Sequence, residues 1–121
     1  MPRSPQRGEL YRVKADAVGK PRPIVIVSRV ELNGGKSVTV VPFSTQQVES
    51  RAQRPSCVLF EAGTGGLPER SIANCADVTL LPLSELDLRS GPLGRFDDTQ
   101  MSRINAALRW SLGLDEAGHG H

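Results

Sequence analysis

The sequence predicts a small, mainly β domain: a barrel of short strands with one α-helix packed on it near the C-terminus. Three observations carry that prediction. Short apolar or alternating runs recur along the first two thirds of the chain, separated by Gly, Pro and Asn. One of these runs, Pro23-Ile24-Val25-Ile26-Val27-Ser28, is unbroken and β-branched, as a strand buried on both faces requires. Only the segment after Asp97 shows helical periodicity over several turns.

The chain has 121 residues, enough for one domain with one core. Aromatic residues make up only 4%, so aliphatic side chains are expected to fill that core. The N-terminus has no apolar leader segment and no apolar run reaches membrane-spanning length, which predicts a cytoplasmic protein with no membrane partner. Cys57 and Cys75 are too few and too far apart for a metal site or redox motif, and are expected as buried free thiols. Residues 1–54 hold ten Lys/Arg against four Asp/Glu, +6, and residues 55–121 hold five against nine, −4. A basic half fits a polyanion such as nucleic acid, unless folding interleaves the two halves.

In chain order, residues 1–7 read as a disordered basic tail, 8–114 as the domain and 115–121 as a flexible tail. Gly8 to Lys14 alternates as a first strand, with Leu10, Tyr11 and Val13 packing and Glu9, Arg12 and Lys14 in water. Pro21 and Pro23 lie at the entry of the second strand, Pro23 to Arg29, because proline cannot donate to a ladder. Asn33-Gly34-Gly35-Lys36 predicts a tight hairpin turn with positive φ, returning as the strand Ser37–Pro42. Gln46 to Arg54 reads as a polar loop, Ser56–Phe60 as a strand, and Ala62–Pro68 as a glycine-rich loop. Ser71–Asp77 and Val78–Pro82 read as further strands, and Pro82–Leu88 as a single helical turn. Asp97 is the expected helix N-cap with Gln100 completing a capping box, and Phe96 with Met101 a hydrophobic staple. Met101, Ile104, Leu108 and Leu112 form the expected buried stripe, Gly113 the C-cap, and Trp110 an exposed aromatic that suits a partner surface.

The chemistry is expected around Arg22, held at the mouth of the stiff second strand. A guanidinium there is a permanently charged, planar fork of donors suited to a phosphate, although an isolated arginine more often closes a surface ion pair. Ser44 and Thr45, with Gln46 and Gln47, follow a strand end, where hydroxyls commonly serve only to bond the local backbone. The two histidines, His119 and His121, lie in the tail, and no acidic cluster points to a metal, so no cofactor is expected.

With these elements laid out, the sequence resembles the MazF/PemK toxins of bacterial toxin–antitoxin pairs. Four segments carry the resemblance: Arg7-Gly8-Glu9-Leu10-Tyr11, Lys20-Pro21-Arg22-Pro23 with its apolar strand, Val41-Pro42-Phe43-Ser44-Thr45, and Arg103 to Leu114 ending in Ser111-Leu112-Gly113-Leu114. The resemblance implies an SH3-like, CcdB-like β-barrel with a C-terminal α-helix, and a symmetric homodimer. It implies a ribosome-independent, metal-independent endoribonuclease that cuts single-stranded RNA and is silenced by a MazE-like antitoxin peptide laid over the RNA groove. Arg22 then matches the catalytic arginine, with Ser44 and Thr45 as the catalytic hydroxyl pair. Lys20, Gln46, Arg70 and Asp77 are expected to contact RNA, and Trp110 the antitoxin or another partner. Two alternatives stand beside it: a CcdB-like toxin that binds DNA gyrase without cutting RNA, and a weakened homologue that only binds RNA. The sequence departs from the family in the inverted Ser44-Thr45 order, in Asp77 and Thr79 where many members have Gln and Arg, and in the inserted Pro21.

Overall fold

The computed structural model describes residues 4–14 and 22–114. The strands are β1 (Glu9–Arg12), β2 (Pro23–Ile26), β3 (Ser37–Ser44), β4 (Cys57–Phe60), β5 (Ser71–Asn74), β6 (Thr79–Pro82) and β7 (Gly94–Arg95). The helices are α1 (Val48–Arg51), a single turn, and α2 (Asp98–Ser111). All pairings are antiparallel, in the order β4-β5-β3-β2-β1-β7, with β6 also on β3. The sheet curls into a half-barrel and carries α2 at its C-terminal end. β3 is its spine: one edge pairs with β2, the other first with β6 and then with β5.

The unbroken apolar run of β2 is explained by its two faces. Val25 enters one core cluster with Leu10, Val41 and Ile104, while Ile24 and Ile26 enter a second with Tyr11, Val38, Val40 and Leu86. Period-two geometry sends neighbours to opposite faces, and both faces are covered. The core is mostly aliphatic, but the three phenylalanines also meet beneath α2: Phe60 stacks on Phe96 with centroids 4.4 Å apart, and Phe43 meets both edge-on. Cys57 and Cys75 are buried free thiols, and burial, then Cys57, pushes the Cys75 thiol up to about 12.

The start of α2 is a closed device. Asp97 Oδ1 accepts from the Gln100 backbone N–H at 2.8 Å, and Gln100 Oε1 accepts from the Asp97 backbone N–H at 2.7 Å. Phe96 and Met101 are buried beside it. Gly113 at φ 74 closes the other end. The buried stripe is Met101, Ile104 and Ala107; Leu108 is partly buried and Leu112 is 57% exposed, because the last turn of α2 runs past the core.

Several expectations are corrected. Glu9 is not in water but only 2% exposed, and its Oε1 accepts from the Gln6 backbone N–H at 2.7 Å and from the Tyr11 hydroxyl at 3.2 Å. In the segment expected as a tail, the described residues make contacts with the domain: Pro5 is fully buried, and Arg7 donates to Val27 O at 2.9 Å and to Asn105 Oδ1. The β2–β3 hairpin forms, but Asn33 sits at φ −79 after a 3-10 turn over Val30–Leu32. Its buried side chain makes the connection, donating to Pro5 O at 2.9 Å and Ser28 O at 3.2 Å. β3 runs two residues beyond Pro42, because β5 supplies partners for Phe43 and Ser44. β5 ends at Asn74, and a 3-10 turn over Cys75–Asp77 separates it from β6. β7 was not expected, being two residues long. Its Gly94 lies so close to the Gly65–Gly66 turn that an added Cβ would stand 2.3 Å from Gly65 O.

Candidate active site

Antiparallel register brings the expected pair together. β2 and β3 align Ile24 with Pro42, so two further steps place Arg22 opposite Ser44 on the same face of the sheet. Arg22 is exposed, and its backbone carbonyl accepts from Val13 N–H at 2.9 Å, which ties the strand entry to β1. Among the described residues no carboxylate comes within ion-pair distance of its guanidinium. Arg22, Ser44, Thr45, Gln46, Glu69 and Ser71 line a cleft of about 200 Å³. A second depression of about 190 Å³ lies on the other side of Arg22, with Val13, Ile24, Val40, Pro42 and Leu81 as apolar walls and Lys14 and Thr79 as polar ones. Arg22 therefore stands where the two hollows meet.

The turn after β3 is open. Ser44 Oγ accepts from the Gln46 backbone N–H at 3.1 Å, so its hydroxyl proton remains available to a ligand oxygen. Thr45 and Gln46 are exposed. Gln47 takes φ 50, ψ 43, the one non-glycine residue with positive φ among those described, and its side chain does not cap α1. A left-handed glutamine costs of order 1 kcal/mol or more, and such strain gathers where a loop must hold one shape. A permanent cation, two hydroxyls and an amide side chain around one small cleft can grip a phosphodiester through several charge-assisted hydrogen bonds.

The other expected residues divide. Arg70 is exposed and is not among the residues lining the cleft, donating to Glu49 at 3.2 Å and Glu61 at 3.3 Å. Those contacts, the Glu49 hydrogen bond first, hold its guanidinium pKa above the ordinary value. Asp77 is exposed outside the cleft and accepts from Asn74 Nδ2 at 2.9 Å, whereas Thr79 lines the second depression. Trp110 is 52% exposed and borders a separate groove between α2 and β4, with Cys57, Arg103 and Ala107. Arg103 covers that end of the sheet, donating to Leu59 O at 3.0 Å with its guanidinium 4.9 Å from the Phe60 ring centroid. Lys20, His119 and His121 lie outside the described residues. Among the described residues no group of three or more His, Cys, Asp and Glu is placed to hold a metal ion, and no helix is long and apolar enough to cross a membrane.

Three lining residues were not anticipated: Lys14, Glu69 and Ser71. The signal for the last two was the alternation in Glu69-Arg70-Ser71, which puts the outer two on one side and Arg70 on the other.

Comparison with known proteins is consistent along the chain. The family model for PemK-like, MazF-like toxins of type II toxin–antitoxin systems matches residues 6–112. A protein of Mycolicibacterium smegmatis described as a probable endoribonuclease MazF is 33% identical over 111 residues, covering 90% of this chain and 97% of that one. A mycobacterial endoribonuclease solved in complex with its cognate antitoxin superposes with a TM-score of 0.73 at 28% identity, over 92% of this chain and 97% of the other. A second mycobacterial endoribonuclease gives 0.71 at 25% identity, over 91% and 92%. With the fold matched over nearly its whole length, the chain belongs to the PemK-like, MazF-like family of toxins of type II toxin–antitoxin systems.

Proposed function

We propose that this toxin is an endoribonuclease that cuts single-stranded RNA at the Arg22 cleft without a metal. The observation that carries the reading is the shared cleft itself: one exposed guanidinium and the Ser44 and Thr45 hydroxyls line the same hollow of about 200 Å³. In the reaction the 2′-oxygen of the substrate attacks the adjacent phosphorus, leaving a 2′,3′-cyclic phosphate and a 5′-hydroxyl. Arg22 stabilises the charge that grows on the phosphoryl oxygens. The Ser44 and Thr45 hydroxyls orient the phosphate or relay a proton, and Gln46 contacts the strand beside it. Lys14 and Thr79 line the continuation of the groove past Arg22, which gives the RNA a polar path along an apolar floor.

In this reading the active unit is a homodimer with an isologous two-fold interface. A cognate antitoxin peptide covers the groove, the mycobacterial relative having been solved in complex with its own cognate antitoxin, and Trp110 belongs to a partner-covered surface. Lys20, beside Arg22 in sequence, adds a cation to the RNA contacts. The retained Arg22 and hydroxyl pair favour RNA cleavage over a gyrase-binding mode. The deciding experiment is digestion of a long single-stranded RNA in EDTA. The wild-type protein cuts it, and Arg22→Ala loses about 10²-fold or more of the rate while keeping its melting temperature. RNA left intact by the wild-type protein removes the enzyme reading.

A further inference from the structure

We propose that Glu69 is the general base of this cleavage, the group that takes the proton from the attacking 2′-hydroxyl; the inference rests on the RNA-cleaving reading of the same cleft. Arg22 cannot fill that role, because a guanidinium stays protonated. Ser44 and Thr45 hydroxyls hold their own protons too tightly to accept one unaided. Histidine, the usual base, is absent from residues 4–114 of the sequence.

Glu69 is the one carboxylate among the described residues that lines the cleft with Arg22, Ser44 and Thr45. Its acidic neighbours are engaged elsewhere: Glu49 and Glu61 hold Arg70, and Asp77 accepts from Asn74. No hydrogen bond or ion pair to the Glu69 side chain is made by the described residues, so a substrate hydroxyl meets no competitor for it. Its place is held by β5. The Ser71 hydroxyl, 2% exposed, donates to Glu69 O at 2.7 Å and pins the strand entry. Among the described residues, Arg22 is the other charged group lining the cleft, and Arg70, next in the chain, donates to Glu49 on α1 and to Glu61.

The step balances without another reagent. The 2′-hydroxyl proton passes to the Glu69 carboxylate as the O2′–P bond forms. The P–O5′ bond breaks, its electron pair goes to O5′, and O5′ takes a proton from water. The hydroxide left behind then recovers the proton from Glu69. Glu69 is also a negative charge in a phosphate-binding cleft, so neutralising it leaves RNA binding unchanged or tighter while removing the base.

The test uses purified wild-type, Glu69→Gln and Glu69→Asp proteins of equal melting temperature, in single-turnover cleavage of an RNA oligonucleotide in EDTA from acidic to mildly alkaline pH. Glu69→Gln is expected to lose about 10²-fold or more in rate at saturating RNA, and to lose the rise of rate with pH on the acid side. Glu69→Asp keeps that rise with partial activity. Binding to the same strand carrying a 2′-deoxy sugar at the cut site, which cannot react, is unchanged or tighter in Glu69→Gln. Retention of the acid-side rise in Glu69→Gln, or a rate within about threefold of wild type, overturns the assignment while leaving the nuclease reading standing. Failure of the wild-type protein to cut overturns both.

Discussion

The start of α2 and the end of β3 use the same kinds of polar side chain to opposite ends. At α2, Asp97 and Gln100 satisfy each other's backbone N–H groups, and Phe96 and Met101 seal the turn from below. At the end of β3, Ser44 makes one bond to the Gln46 N–H, Thr45 and Gln46 face water, and Gln47 is held at φ 50. The first arrangement leaves little for a ligand to bond and stabilises the fold. The second leaves donors exposed in a strained loop beside a cation that no described carboxylate pairs. Closed polar groups mark support, and open ones held in place by a rigid neighbour mark function.

That contrast can be broken at either end. Phe96→Ala removes the ring that stacks on Phe60 and should cost about 3–5 kcal/mol of stability, read as the urea midpoint; cleavage should fall only as the folded fraction falls. A loss of activity with stability intact would mean that the α2 end is part of the site. Ser44→Ala and Thr45→Ala should each lower the cleavage rate by about tenfold or more, with a stability change under about 1 kcal/mol. An equal fall in stability and in activity would make the open turn structural after all. Asp97→Ala opens the capping box and should cost about 1 kcal/mol with the cleavage rate unchanged, the smallest effect of the three.

How much of this was legible in the sequence depended on distance along the chain. The capping box, the staple and the Gly113 cap were readable because each joins residues within five positions. The two-faced burial of Ile24, Val25 and Ile26 was readable because an unbroken apolar run has no polar face to offer. Glu9 was misread because alternation assigned it to solvent, whereas the packing of the preceding Gln6 turn and of Tyr11 encloses it with hydrogen bonds. β7 was missed because two residues carry no period. Arg70 was expected at the site, yet Glu49 and Glu61, from two separate segments, engage its guanidinium.

By itself the sequence determined which segments form strands and helix and which residue types could grip a phosphate, since local propensity and periodicity act over a few residues. Tertiary structure alone decided which of those groups meet. Arg22 faces Ser44 because β2 and β3 pair in one register, and Glu69 rather than Arg70 or Asp77 lines the cleft with them because the chain passes there on its way into β5. Register is a non-local choice: a slip of one residue would turn every one of these side chains to the opposite face.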